Sequence, residues 1–559
     1  MMCCYRFEGM RREVEDVPEL LQHIQSRLLV REAARTSVLS KSWLHAWSTI
    51  PNLRFHVVKK QNLYNMKLVD VDRTLIRYHH DNIPIEKFEL LMDIDDQESA
   101  SHAEKWIGFV ATKTCLKEVS LTILLHGVLF TLPHEILSVE NLTKIQVSSP
   151  FHSVNWMTTN HVIKCVSLRE LHLDGVRISE EALNDILSSC SLLVKIELLH
   201  CCEGLKTINV KNLACLYELT ICAGTIYGNT TDLEISDVPN LIYGNTTDLE
   251  ISDVPNLGVF SFDLRGSHSI SLGTSVTQLT IGGRGMITDY ACMDMINSRL
   301  PFLECLTLYD MTFWKSESFH FTCASIKRLT LGLCPHTLVD IQVHAPKLRF
   351  FCFDGYALPN ILFPVSTLKQ LDVTLRLDLP VDVYFFLKMR EALSLAHTCT
   401  VRIMARNHDL GLDLDLNQLP SHIVIRIGID IDDLRTRLRS PPATNVQQLS
   451  FQMSGDDCLW ERSLFFDAFF EICRPKHVFA LPDLRYSHRN HFCRLMLKEV
   501  LEKKTTSKVG TPYWSRYLKH VQIREYSRDQ IWKTLTNSHR HFLDGSAPAD
   551  CMDFKLMWC

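Results

Sequence analysis

What this chain lacks narrows its chemistry before any motif is read. No block of like charges exceeds a few residues, and 59 basic against 64 acidic side chains leave a net charge of −5. Neither a nucleic-acid stripe nor a membrane-surface patch is predicted. The most apolar run, Val119 to Leu132, is broken by Thr122, His126 and Gly127 and is too short to span a bilayer. There is no G-x-x-x-x-G-K, no G-x-S-x-G and no H-E-x-x-H, so no catalytic residue is predicted. Cysteine is plentiful at 20 residues, yet no two stand in a C-x-x-C pair and Met1 to Glu15 has no apolar leader. Free thiols in a reducing compartment, nucleus or cytoplasm, are the expectation. Gly282 to Gly285 reads as a loop, Asp430 to Asp433 as a solvated turn, and the histidines of 488–493 and 539–541 as solvated or capping groups. No metal and no cofactor follow.

What is present is a repeat. Leu-x-x-Leu-x-Leu, with Ile or Val substituting, starts at Leu116, Leu142, Leu168, Leu193, Leu205, Leu216, Val276, Leu303, Ile326, Leu338, Leu348 and Leu368. Its last three apolar positions alternate as a strand does, and such units bury their apolar face only by stacking. The steps from Leu116 to Leu193 are about 25 residues, enough for a strand and a return such as Ser179–Leu187, which reads as a helix. Those at 193, 205, 216 and at 326, 338, 348 are ten to twelve residues, which predicts tight loops carrying residues such as Pro335 and Pro346, and a thin convex side. Ile226–Leu241 recurs identically as Ile242–Leu257, and local irregularity is expected there, because packing alone never demands identity.

The first fifty residues differ. Asp16, Pro18 and Glu19 form a helix-start signal, with Leu20, Leu21, Ile24 and Leu28 recurring on one face. A second helix is predicted from Arg31 through Val38 and Leu39, and a third carries Trp43 and Trp47 before Pro51. Three helices this short bury too little surface to stand alone and need a cover, either the rest of the chain or a partner.

Val17-Pro18-Glu19-Leu20-Leu21, Ile24, Thr36 to Trp43, Trp47 and Pro51-Asn52-Leu53 resemble, in register, the F-box of plant F-box/LRR proteins. Val17 stands for the usual Leu, Arg27 for an aromatic and Leu29 for Pro. The resemblance implies docking on a Skp-family adaptor, and through it cullin and RING subunits, by Val17, Pro18, Leu21, Ile24, Leu28, Val38, Leu39 and Trp43. The rest of the chain would capture a protein substrate for ubiquitination, with the chemistry left to partners. The alternative is an LRR interaction scaffold that does not engage the ligase, to which Arg27 and Leu29 point.

The expected architecture is α/β: an F-box at 14–55, a linker or N-terminal cap at 56–114, an irregular leucine-rich-repeat solenoid at 115–375 and an α+β capping domain at 376–559. Helices are predicted at 62–79, 100–113, 383–396, 459–473, 489–504 and 528–536. Strands are predicted at 88–92, 400–405, 423–429, 447–453 and 518–523, with a loop at 435–444. Alternation turns Glu170, His172, Lys195, Glu197, Glu218, Arg328, Phe350 and Asp372 outward from the repeat strands, as candidate target-binding residues. Lys195 and Arg328 are the only cations in that row, too few to hold the inositol phosphate found beneath the repeats of some F-box/LRR hormone receptors.

Overall fold

The fold is described from a computed structural model. The structure describes residues 18–27, 33, 35–58, 67–150, 154–156, 163–201, 205–222, 248–263, 268–270, 272–282, 296, 299–311, 316–363, 368–377, 381–405, 429–453, 465–482, 513–526, 532–535 and 551–559. They fall into two compact units that divide between Val276 and Thr277.

The first unit opens with α1 (Pro18–Ser26) and α2 (Lys41–Ser48). Ser40 caps α2 by accepting from Trp43 N, and Gln22 Nε2 donates to Thr49 Oγ1 at 2.8 Å, tying the helices together. Of the helix predicted between them, Ala33, Arg35 and Thr36 are helical, but Ser37 and Val38 form a turn, closed by Leu39 N donating to Thr36 O at 3.1 Å, so Val38 and Leu39 lie beyond the helix predicted to carry them. Three more helices follow: α3 (Leu68–His80), α4 (Gln97–Ala111) and α5 (Glu180–Ser189). The strands are β1 (Asn52–Val57), β2 (Lys87–Ile94), β3 (Glu118–Leu125), β4 (Lys144–Ser148), β5 (Val154–Trp156), β6 (Glu170–Asp174), β7 (Val176–Ile178), β8 (Lys195–Leu199), β9 (Thr207–Lys211), β10 (Glu218–Cys222), β11 (Asp248–Ser252), β12 (Val259–Asp263) and β13 (His268–Ile270).

One parallel ladder runs β1-β2-β3-β4-β6-β8-β10-β12. Parallel neighbours need crossovers, and α3, α4 and α5 supply three of them. The span expected to be a linker, 56–114, therefore contributes β2 and two helical returns, and the ladder begins at Asn52. Inward positions stack across it: Phe88, Val119, Ile145, Leu171, Ile196, Leu219 and Phe260 are each at most 2% exposed. These side chains fill the interior that no single repeat could close.

The short steps have a different cause from tight loops. β8 pairs with β10 directly, while the intervening β9 belongs to a second parallel sheet, β9-β11-β13. A strand on each side of the core shows the same alternation, so the motif recurs at half the usual interval. The return segments thus include strand as well as helix. Asn212 and Asp253, just after β9 and β11, turn the chain at φ 59° and 56°, a left-handed conformation that Asn and Asp tolerate. β11 is built from the second copy of the duplication, whose Leu249, Ile251, Val254 and Leu257 are buried. The first copy lies outside the described residues.

In the second unit the strands are β14 (Gln278–Gly282), β15 (Cys305–Tyr309), β16 (Ser318–Thr322), β17 (Arg328–Cys334), β18 (Asp340–His344), β19 (Phe350–Gly355), β20 (Asn360–Leu362), β21 (Gln370–Leu377), β22 (Thr398–Ala405), β23 (Val446–Met453), β24 (His477–Pro482), β25 (Leu518–Tyr526), β26 (Trp532–Leu535) and β27 (Cys551–Trp558). Its helices are α6 (Val383–Leu393), α7 (Ile431–Arg437) and α8 (Phe465–Ile472). The parallel ladder β14-β15-β17-β19-β21 does not stop where the motif fades near Val373; it continues through β22, β23 and β24. β16-β18-β20 form its second sheet.

The ladder closes by reversing direction. β24 pairs antiparallel with β27, β27 with β25 and β25 with β26. A parallel edge is thereby joined to a short antiparallel cap, leaving less edge open to a second chain. Trp532–Leu535, predicted as helix, is the strand β26, because Tyr526↔Trp532 and Ile523↔Leu535 pairing outweighs a local helical pattern. Asp430 is likewise not a simple turn residue: it caps α7, accepting from Asp432 N and Asp433 N, so the predicted loop from 435 begins inside a helix. The predicted elements at 423–428 and 489–504 lie outside the described residues. Among the described residues no helix is long and apolar enough to cross a membrane.

Candidate protein-interaction surfaces

Two surfaces stand out, one apolar and one polar. The apolar one lies on the N-terminal helices, where Val38 is 84%, Leu39 53%, Leu44 48% and Leu20 42% exposed. Ser40 sits in the middle of this run as the α2 cap, holding Val38 and Leu39 just ahead of the helix. Ile24 and Trp43 are half-buried. Leu21 corrects the sequence expectation: it is 0% exposed and belongs to the core beneath the surface. Helix phase explains this, since the adjacent Leu20 and Leu21 point about 100° apart and only one can face out. Val17, Leu28 and the side chain of Pro18 lie outside the described residues. Arg27 is exposed, so its guanidinium stays in water and carries no desolvation cost.

The polar surface is the outward side of the first unit's ladder. Parallel register aligns Lys87, Glu118, Lys144, Glu170, Lys195 and Glu218 in one row of alternating sign. Lys87 reaches Glu118 at 2.5 Å, Lys144 reaches Glu170 at 3.0 Å, and Lys195 reaches Glu218 at 2.9 Å. Next to this row His172 Nδ1 lies 2.8 Å from Glu197 Oε2, and Lys195 is 3.2 Å from the same carboxylate. His200 Nδ1 lies 2.7 Å from Asp174. Burial acts to raise the Glu197 carboxyl, but the bonds from His172 and Lys195 outweigh it and hold it below its ordinary value. The bond to Glu218, with help from Glu197, raises Lys195.

Glu170, His172, Lys195, Glu197 and Glu218 lie on the outward side, as alternation predicts, and the parallel register brings them together. Sequence reasoning misses Lys87, Glu118 and Lys144, because it assigns β2 to a cap and gives no outward positions to β3 and β4. In the second unit Arg328 stacks over Phe350 at 4.6 Å, and Asp372 accepts from Gln370 at 2.9 Å. Arg376, not singled out from sequence, grips Asp354 with two bonds of 2.9 Å.

The buried thiols, Cys165, Cys190, Cys201, Cys334, Cys399 and Cys473, fill the core, whereas Cys115, Cys215 and Cys559 are exposed. Cys165 and Cys190 stack at 3.8 Å in the core, and burial pushes Cys201 up to about 12. Among the described residues no group of three or more His, Cys, Asp or Glu could hold a metal.

Parallel rungs with stacked leucine-rich interiors and polar outward rows define a leucine-rich-repeat protein. Residues 103–282 match the family described as "FBD-associated F-box protein At5g56370, LRR repeats". The chain is similar to the Arabidopsis thaliana protein At3g18150, 27% identical over 222 residues, 37% of this chain and 42% of that one. It is also similar to F-box/FBD/LRR-repeat protein At1g13570 of the same plant, 26% identical over 234 residues, 41% of this chain and 52% of that one. F-box/LRR-repeat protein 25, again from Arabidopsis thaliana, is 28% identical over 204 residues, 36% of this chain and 72% of that one. The chain spans less than half the length of At3g18150, the first of these relatives. The chain thus has distant homologues among the plant F-box/LRR-repeat proteins.

Proposed function

We propose that this chain is the substrate-recognition subunit of an SCF-type ubiquitin ligase, non-catalytic itself. In this reading the N-terminal helices dock on a Skp-family adaptor, which links the chain to cullin and RING subunits, and the outward rows of the ladders bind the protein to be modified. The observation that carries it is the exposure of Val38, Leu39, Leu44 and Leu20 together on a short helical segment whose core is already filled by Leu21, Ala33 and Ala46. Large apolar side chains left in water this close together mark a surface made to be covered. The position of this segment, ahead of repeats like those of F-box/LRR-repeat proteins, supports an adaptor as the cover. Val17, Pro18, Ile24, Leu28 and Trp43 complete the proposed docking set.

The test is co-purification of the full chain with a Skp-family adaptor. The Val38→Asp, Leu39→Asp double variant is expected to lose the adaptor and keep its thermal melt, because both positions are exposed. An unmutated chain that is folded and binds no adaptor would replace this reading with that of an LRR scaffold.

A further inference from the structure

A cavity of about 210 Å³ lies within the first unit between the N-terminal helices, β1 and α3. Ala33, Trp47 and Leu53 provide apolar wall, and Gln25, Arg77 and Tyr78 also line it. Two polar atoms there have no hydrogen-bond partner: Gln25 Oε1 and Arg77 Nε. Gln25 is 1% exposed, and its amide orientation is dictated by its surroundings. Its Nε2 donates to Thr36 Oγ1 at 2.7 Å and to Trp43 O at 3.1 Å. Turning the amide over would set oxygen against the Trp43 carbonyl, so Oε1 is left as a buried acceptor without a donor. Arg77 lies 5.7 Å from the Trp47 ring and 5.3 Å from that of Tyr78, which fixes its guanidinium at the cavity wall. The other charges lining the cavity are compensated: Arg54 pairs with Glu89 at 2.7 Å and Lys87 with Glu118. Arg77 has no carboxylate partner among the described residues.

Buried polar groups in folded proteins are nearly always satisfied, so an orphan donor and an orphan acceptor around one cavity describe what is absent from it. The donor is cationic and calls for an anionic acceptor; the acceptor calls for an N–H or O–H. The apolar walls and the volume suit one ring. We propose that this cavity is a binding site for a small single-ring carboxylate that also carries a hydroxyl or amino donor. The carboxylate sits on Arg77, the donor on Gln25 Oε1, and the ring against Trp47 and Leu53. The site stands independently of adaptor docking.

The experiment is calorimetric titration of the full chain with 4-hydroxybenzoate, benzoate and 4-hydroxybenzyl alcohol, backed by saturation-transfer NMR. Binding of 4-hydroxybenzoate with a dissociation constant below about 1 mM is expected, at least tenfold weaker for the uncharged alcohol. Arg77→Met is expected to weaken 4-hydroxybenzoate at least tenfold, and Gln25→Leu to abolish its advantage over benzoate. No binding by the folded wild-type chain means that the cavity holds water only and overturns the proposal; so does binding that does not distinguish acid from alcohol. The three-probe comparison on the wild-type chain decides the matter even where a variant fails to fold.

Discussion

Neighbouring residues of the same type have opposite duties here. Leu20 is 42% exposed and Leu21 fully buried, so the two leucines test different properties. Leu21→Ala empties a core position and is expected to destabilise the first unit by roughly 2–5 kcal/mol, read as a lower unfolding midpoint in urea. Leu20→Ala should leave that midpoint within about 0.5 kcal/mol of wild type. Glu197 provides a pH signature. Its folded pKa is depressed, so its contribution is present above its ordinary value of 4.5 and lost as pH falls through the lowered one. Lys195 is raised by its bonds to Glu218 and Glu197, so its contribution is present while those carboxylates are ionised, is whole up to its ordinary value of 10.5, and is lost as pH rises through the raised one. Glu197→Gln should therefore cost about 0.5–1 kcal/mol near neutral pH, with the gap to wild type closing below pH 4.5, as denaturation at a series of pH values would show. At Gly175, φ is +65° and a Cβ would stand 2.2 Å from Ser149 O. Gly175→Ala should consequently lower the melting temperature despite its small size.

Among elements, the strands with the motif were legible and their sheet membership was not. Leu205 and Leu338 head strands that look from sequence like their neighbours, yet β9 and β18 sit in the second sheets. Alternation reports which residues point inward, and a strand on either side of a core points inward equally well. The outward polar positions were readable for the same reason. The exposed apolar residues of the N-terminal helices are readable in composition but not in phase, which is why the sequence groups the buried Leu21 with them. Strands β22 to β24 escaped the motif because their interior uses Cys399, Val401, Leu449, Phe451 and Val478 in place of spaced leucines. The cap depends on a polar centre that no spacing could announce: Asp553, 0% exposed, takes hydrogen bonds from Arg524 and lies 2.9 Å from His477 Nδ1. Asp553→Ala removes the buried carboxylate that Arg524 and His477 share, so a loss of about 1.5–3 kcal/mol is expected, read by thermal unfolding of the full chain.

For the molecule, the two units have their own ladders and their own second sheets, and the described cap belongs to the second. A chain truncated after residue 375 would stop inside β21 and strip β22 from a strand it pairs with from Gln370 to Leu377. Such a truncation exposes Leu371 and Val373 along an unpaired edge and is expected to be insoluble on expression, whereas the full chain remains in the soluble fraction.

The alternating Lys and Glu row across the first ladder constrains how this protein can change length. Removing the rung that carries Lys144 would seat Glu118 beside Glu170, and like charges opposed on adjacent strands repel. Removing two neighbouring rungs restores the sequence of signs. Growth and loss on this side of the solenoid are thus favoured in even numbers, a parity rule written in side-chain charge.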